Sequence, residues 1–523
     1  MLKPQLTIGL ALTALAASAP VAQAAPPPRA EPQSQRTVEV QILGLNETHG
    51  QLTPLNRNGR AAGGAATLAA YLQREEAENP KRTLILDSGD FMQGPPISSF
   101  FEGASTVEAF NAIGVDGVAV GNHEFDYGQD ALQARIREAE FPFLAVNVRD
   151  TATGGQPEGI KPYVIEKLSG VKVGVIGVAN PDTKNVTLPA ATAGLEFLAI
   201  ADSAAAVNDA VAQLRRRKVQ TIVVVAHQGL TAPDEGALAE LVNGFSREVD
   251  LVLGGHISSE FNTVINGIPV VQPFGNTRGY ADAVLTVDRK TKDVVASNVT
   301  TDPTWVDEIT PDAEVAAIVE RYQAQLREAL GKVVGEASTS ITRSYNAESE
   351  MGNFVTDAMR THFGGVDFAF TNAGGLRAEI DAGPITLEEI YTVLPFNNTL
   401  VLMDLTGAQV RRVLEEGAYV AGDTPTNRGT VQVSGLRWTR DPTKPFGSRV
   451  TSFTLPDGTP IDPAATYRIA TNNFMATGGD AFTTLKEGKN VADTGVNLVD
   501  TVVGLLSRSS PVDPQVEGRL TIG

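Results

Sequence analysis

The chain has 523 residues, more than one hydrophobic core accommodates, so two or three domains are expected. Hydrophobic residues make up 42% and charged residues 20%, a globular balance, but the formal net charge is -19. That acidity argues against a protein that grips nucleic acid with a basic stripe, although local cations or metal ions can reverse the field around one small phosphorylated ligand.

The first 24 residues combine an early cation (Lys3), an apolar stretch from Leu6 to Ala17 and the small-residue exit Ala22-Gln23-Ala24. This is the pattern of a secretory signal cleaved after Ala24. Its apolar core is shorter than the roughly 20 residues of a membrane span, so no membrane anchor is expected. The absence of cysteine excludes disulfides, thiol catalysis and a lipid-modified cysteine. A soluble periplasmic or secreted protein is expected, a monomer or a homodimer. Residues 25–36 read as a disordered, proline-rich leader.

From residue 37 onward, β-branched runs closed by glycine or polar clusters alternate with helical stretches. The runs are VEVQILGL, TLILDSGD, VDGVAVGNHEFD, FPFLAVNV, VKVGVIGVAN, TIVVVAHQG, VDLVLGGH and IPVVQPFG. Near-continuous hydrophobicity marks strands buried on both faces. Residues 37–305 therefore read as a layered α/β domain. In TPDAEVAAIVERYQAQLREALGKVVG, Thr310 is the expected N-cap and Pro311 the first helical residue. Val315, Ile318, Val319, Tyr322 and Leu326 repeat at helical spacing, which makes 306–334 a linker helix. Residues 335–523 form a second α/β segment with two glycine-rich polar turns, TNAGGLRAEI and TNNFMATGGDAF.

Four of the five histidines, His49, His123, His227 and His256, fall just past the end of an expected strand. Functional groups of open α/β sheets gather there, outside the carboxyl ends of the strands. The same edge collects Glu47, Asp90, Asn122 and Asp126. Imidazole and carboxylate together suit divalent ions such as Zn or Mn, whereas calcium sites rely on oxygen ligands. One histidine after a strand is usually a capped turn residue; four with matched acids point to a metal site. His362 follows Val355, Ala358 and Met359 on a helical stripe and is assigned to packing.

These residues resemble the bacterial and animal 5′-nucleotidases, including UDP-sugar hydrolases, over essentially the whole chain after the leader. GNHEFDYG matches in full, and VVAHQG and DLVLGGH match well. The resemblance implies a four-layer calcineurin-like metallophosphatase sandwich joined by the helix to an α/β substrate-binding domain. It further implies two divalent ions, with Zn, Mn or Co expected. Asp90 would bridge them, Asn122, His227 and His256 would complete one, and Glu47 with His49 would hold the other. His123 and Asp126 would be the catalytic pair. Two cations roughly 3.5–4 Å apart can clamp a phosphate and generate hydroxide near neutral pH for in-line attack. His123 can protonate the departing ester oxygen, and Asp126 can orient it and raise its basicity. Two positions depart from the family: Glu47 stands where aspartate is usual, and Ser258 where His, Gln or Asn is usual. Weaker loading of that ion is expected.

In the second domain the resemblance implies that Phe396 and Phe474 sandwich the nucleobase and that Asn372 and Asp480 bond the base edge or ribose. Arg377 would meet the phosphate, Gly478 and Gly479 would let the backbone approach the ligand, and Tyr345 replaces a familiar arginine, so that either phosphate contacts are fewer or Arg343 reaches in from a shifted register. Stacking on aromatic faces contributes roughly 1–3 kcal/mol per base. Arginine offers phosphate a planar fork. The expected activity is phosphate release from nucleoside 5′-monophosphates, with the linker helix letting the second domain swing. The alternatives are a UDP-sugar hydrolase, a 2′,3′-cyclic phosphodiesterase with 3′-nucleotidase activity, and a catalytically weak nucleotide-binding protein.

Overall fold

The computed structural model describes residues 36–57, 59–396, 398–420 and 429–523. The expected signal, and the leader except Arg36, lie outside the described residues. The apolar runs of the first domain form two sheets. One has seven strands in the order Val294–Pro303, Gly279–Asp288, Thr37–Leu45, Thr83–Asp87, Gly117–Ala119, Phe143–Leu144, Ile160–Lys161. The other has six, in the order Phe261–Ile265, Ile268–Gln272, Leu251–Gly254, Thr221–Ala226, Val171–Val178, Tyr163–Leu168.

The sheets meet face to face through fully buried side chains such as Ile42, Leu86, Val175, Val223 and Leu253. Helices Ala65–Glu78 and Ala104–Ile113 cover the outer face of the first sheet, and Ile200–Arg216 and Ala237–Asn243 cover that of the second. The result is a four-layer sandwich. Each fully buried Val or Leu contributes roughly 1.5–3 kcal/mol, and packing must carry the stability because the chain has no disulfide. Thr37–Leu45 runs parallel to Thr83–Asp87, and Thr221–Ala226 runs parallel to both of its neighbours. Their carboxyl ends, and the loops that leave them, therefore collect along one edge.

Two elements differ from their sequence reading. FPFLAVNV splits, with Phe143–Leu144 in the large sheet and Val148–Asp150 pairing with Leu195–Phe197. The break falls at Asn147, whose carboxamide bonds both the carbonyl and the N–H of Ala179 and draws the chain out of the sheet. The linker helix spans Ala313–Leu330, and its cap is Asp312 rather than Thr310: the Asp312 carboxylate accepts the Val315 N–H at 2.9 Å. The Asp312 N–H bonds the Ala66 carbonyl and so docks the helix start on the first domain. Val315, Val319, Leu326 and Leu330 join the first domain's core, against which Leu387 and Tyr391 of the second domain also pack.

The second domain is built on a five-stranded sheet ordered Val431–Ser434, Phe368–Asn372, Thr466–Asn472, Thr399–Thr406, Lys489–Asn497. Helices Glu350–His362 and Leu498–Ser509 pack on one face and Gly407–Glu416 on the other. His362 is half-buried, its ring edge-on to Phe363 at 4.7 Å, in keeping with a packing role.

Candidate active site

The loops leaving the strand ends deliver the first domain's candidate residues to one place. Glu47, His49, Asp90 and His256 all have positive φ, from 47° to 66°. Non-glycine residues hold that conformation at a cost of roughly 1–3 kcal/mol each, only where their surroundings impose it. Here the His49 N–H is fixed by the Asp90 carbonyl at 2.8 Å, and the His256 N–H by Glu47 Oε1 at 2.8 Å.

Asp90 is the centre. Its Oδ2 lies 3.0 Å from His227 Nε2 and 4.0 Å from His123 Nε2, and its Oδ1 accepts the backbone N–H of His123 at 2.8 Å. His227 Nε2 is also 3.2 Å from Asn122 Oδ1 and 3.3 Å from His256 Nδ1. On the far side of the ring, Nδ1 sits 2.7 Å from the Ser88 carbonyl. A carbonyl only accepts, so the proton belongs on Nδ1 and the inward Nε2 is left to ligate. His49 repeats the arrangement, with Nδ1 3.1 Å from the Gln93 carbonyl and Nε2 turned inward, 3.1 Å from Glu47 Oε2.

This donor set fits divalent ions. Ligand atoms of Asp90, His227 and His256 lie within 4.8 Å of one another, and so do those of His49, Asp90 and His123. Burial opposes charge on His227, yet Asp90 and Glu47 outweigh it and push the imidazole up to about 10, so the site demands positive charge. Glu47 belongs to neither triad, since its two oxygens serve the His256 N–H and the His49 ring. Ser258 is half-buried beside it. A Cβ on Gly275 would lie 2.9 Å from both Glu47 Cβ and Ser258 Oγ, so glycine is needed for that approach.

His123 Nδ1 lies 2.6 Å from Asp126 Oδ2. Burial would lower the imidazole, but Asp126 and Asp90 prevail and raise it to about 9. The ring opens onto a cavity between the domains. Asn122, His123, Asp126 and His256 line it from the first domain, and Tyr345, Asn372, Arg377, Phe396, Phe474 and Asp480 from the second. Phe396 stacks toward His123 with centroids 5.9 Å apart, and the Arg377 guanidinium lies 5.6 Å from the Phe396 centroid. Asn372 donates to Asp480 at 2.8 Å.

Three of the expected substrate-binding residues stand behind the lining rather than in it. Arg343 does not line the cavity; its guanidinium donates to the Leu376 carbonyl at 3.0 Å. Gly478 and Gly479 are also not among the lining residues. A Cβ on Gly479 would fall 2.5 Å from the Phe474 ring, so that glycine seats Phe474 against the backbone, while one on Gly478 would meet Lys486.

Two contributions escaped sequence reasoning. Glu124, fully buried, accepts backbone N–H groups of Asp90, Phe91, Met92 and Gly121 and thereby locks the two loops that carry Asp90 and Asn122. Nothing in its position beside two candidate residues separates it from an ordinary turn acid. The second is a wall from the first domain, Asp182, Val186, Thr187 and Leu188. Its signal was present: NPDT follows a strand end on the same edge.

The fold and this edge define a calcineurin-like phosphoesterase joined to a second α/β domain. A calcineurin-like phosphoesterase model matches residues 40–259, and a 5′-nucleotidase C-terminal domain model matches residues 330–487. The crystal structure of a 5′-nucleotidase precursor from Thermus thermophilus is similar at TM-score 0.81 and 30% identity, covering 93% of this chain and 99% of that one. The chain belongs to the 5′-nucleotidase family and is a phosphoester hydrolase. It is 29% identical to a snake venom 5′-nucleotidase of Gloydius brevicauda, over 92% of this chain and 88% of that protein. It is 31% identical over 97% of its length to endonuclease YhcR of Bacillus subtilis, but spans only 43% of that protein.

Proposed function

We propose that this protein is an exported hydrolase that releases phosphate from nucleoside 5′-monophosphates. The observation that carries the reading is one cavity lined both by Asn122, His256 and the His123–Asp126 pair of the Asp90-centred cluster and by two phenylalanines with Asn372 and Asp480. Asp90, Asn122, His227 and His256 would hold one divalent ion, and Asp90, Glu47 and His49 a second, with Zn, Mn or Co the expected metals. Bound there, such ions supply Lewis-acid charge to the phosphoryl oxygens and acidify a water.

The chain's own groups do the rest. Phe396 and Phe474 receive the base, Asn372 and Asp480 bond its edge or the ribose, and Arg377 meets the phosphate. As the water oxygen bonds to phosphorus and the P–O5′ bond breaks, protonated His123 gives its proton to the departing O5′, and Asp126 stabilises that imidazolium. Closing the second domain excludes bulk water. Export rests on the pattern of residues 1–24.

The test compares phosphate from AMP, UMP and glucose 1-phosphate from UDP-glucose, and adenosine monophosphate from 2′,3′-cyclic AMP, each with Mn, Co or Zn added. AMP is expected to be the best substrate; product from only one of the others moves the assignment to that ester. The likeness to a protein named endonuclease supports a second reading, in which a phosphodiester is cleaved. A His123→Ala variant separates both from a nucleotide-binding protein without turnover: it is expected to bind AMP and release phosphate far more slowly than the parent.

A further inference from the structure

A row of arginines and aromatic rings stands at the same strand-end edge, beside Glu47 but outside the cavity. Strand Ile268–Gln272 runs parallel to Leu251–Gly254, and Thr37–Leu45 and Val294–Pro303 both pair antiparallel with Gly279–Asp288, so all three end at that edge. Phe274, Arg57 and Trp305 follow those ends, and Arg278 leads into Gly279–Asp288. The Arg57 guanidinium lies 4.4 Å from the Phe274 centroid and 5.5 Å from that of Trp305. Arg278 lies 4.5 Å from Phe274, and Arg60 4.4 Å from Trp305. The Asn276 N–H donates to the Glu47 carbonyl at 2.7 Å and ties this loop to the metal cluster, yet none of the row lines the cavity.

The charges in the row are unequally matched. Arg60 donates to both Asp307 oxygens, at 2.8 and 3.1 Å, and to Glu308 at 2.6 Å. Arg57 gives one N–H to the Arg278 carbonyl at 3.2 Å and meets Glu260 Oε2 only at 4.0 Å, while Glu260 Oε1 accepts the Thr301 hydroxyl at 2.9 Å. Arg278 donates to two neutral oxygens, the Gly275 carbonyl at 3.3 Å and Asn276 Oδ1 at 3.0 Å, and among the described residues no carboxylate lies within 4.0 Å of it. Burial and the Arg57 charge both push the Arg278 guanidinium down, and no acid opposes them. Two half-buried guanidiniums that share one ring, with a single distant carboxylate between them, call for an anion. Stacking occupies the face of a guanidinium and leaves its edge donors for the fork that grips phosphate. Two forks from different segments match a tetrahedral oxyanion better than one planar carboxylate.

We propose that Arg57 and Arg278 form an anion site for a phosphate group other than the one hydrolysed, supplied by orthophosphate or by a phosphodiester of a longer nucleotide chain. The site goes beyond the nucleotidase reading and stands whether or not metals and AMP bind as proposed.

The chain's two tryptophans make a local readout: Trp438 is buried in the second domain's core, so emission that responds to an added anion is that of Trp305. The metal-stripped full chain is titrated with sodium phosphate, and separately with octathymidylate lacking terminal phosphates, against sodium chloride at equal ionic strength. A saturable change that chloride does not produce is expected. Arg57→Gln and Arg278→Gln are each expected to weaken phosphate binding at least about 10-fold, the loss of one charged hydrogen bond. Arg278→Lys, which keeps the charge without the fork, is expected to weaken it by a smaller factor and serves if the glutamine variants fail to fold. Tighter saturation by octathymidylate assigns the site to a phosphodiester, and tighter saturation by phosphate assigns it to orthophosphate. A response equal in chloride, parent-like phosphate affinity in the arginine variants, or a response that survives Trp305→Phe overturns the proposal.

Discussion

Replacing Asp126 by asparagine keeps the shape of the side chain and an acceptor oxygen but removes the charge 2.6 Å from His123 Nδ1. In the parent, burial disfavours the imidazolium, yet Asp126 and Asp90 raise it to about 9. The acid form of His123 therefore persists through neutral pH and is lost as pH rises through about 9. Without the Asp126 charge the imidazole falls toward its ordinary value of about 6.5. At pH 8 the protonated fraction then drops from about 0.9 to about 0.03, a loss of roughly 30-fold in available general acid. Asp90 still acts on the ring, so roughly 30-fold is a ceiling. The assay is kcat/KM for AMP from pH 6 to 10 at fixed, saturating Mn(II). The basic limb is expected to move from near 9 toward neutrality in Asp126→Asn. An unmoved limb, with any loss equal at every pH, would refute the assignment of His123 as an acid tuned by Asp126.

Gly479→Ala places a Cβ 2.5 Å from the Phe474 ring and must displace it. KM for AMP should rise about 10-fold, the value of one stacked base, while hydrolysis of p-nitrophenyl phosphate stays near parent level. Glu124→Gln turns an amide donor toward backbone N–H groups that now share one carboxylate, at a cost of roughly 1–3 kcal/mol per unpaired group. A lower urea midpoint together with poorer Mn(II) loading is expected. Burial raises Asp250 to about 7 while its carboxylate accepts the Ile222 N–H, so the folded state favours the protonated acid. Its stabilisation is present at low pH and lost as pH climbs from the unfolded value near 4 through about 7. Asp250→Asn, which keeps the acceptor, should match the parent at pH 4 and exceed it at pH 8, by at most about 4 kcal/mol in urea unfolding.

Much of the first domain was legible because doubly buried parallel strands leave unbroken apolar runs, and because histidine is rare enough here for four at strand ends to stand out. The residues that failed to read locally are those whose role is set by distant partners. Asn147 looks like one polar residue in a strand until Ala179 arrives to bond it. Thr310-Pro311 is a sound helix start by itself, but docking of the Asp312 N–H on Ala66 moves the start two residues on. Glycines 478 and 479 announce close approaches without saying that their objects are Lys486 and Phe474. Arg343 gives one guanidinium N–H to the Leu376 carbonyl, a contact that only the packed turn reveals. The 182–188 wall carries no distinctive residue type, and its place becomes legible only when the second domain's Gly479–Ala481 turn packs against it.

The most direct measurement counts ions and turnover together. Protein stripped of metal is titrated with Mn(II), and phosphate release from AMP is followed alongside bound ions per chain. No hydrolysis without metal, full activity only as the second ion binds, and loss of that activity in Asp90→Asn are the expected results. Phosphate release by the stripped protein, or full activity with one ion per chain, would contradict a dinuclear nucleotidase centred on Asp90.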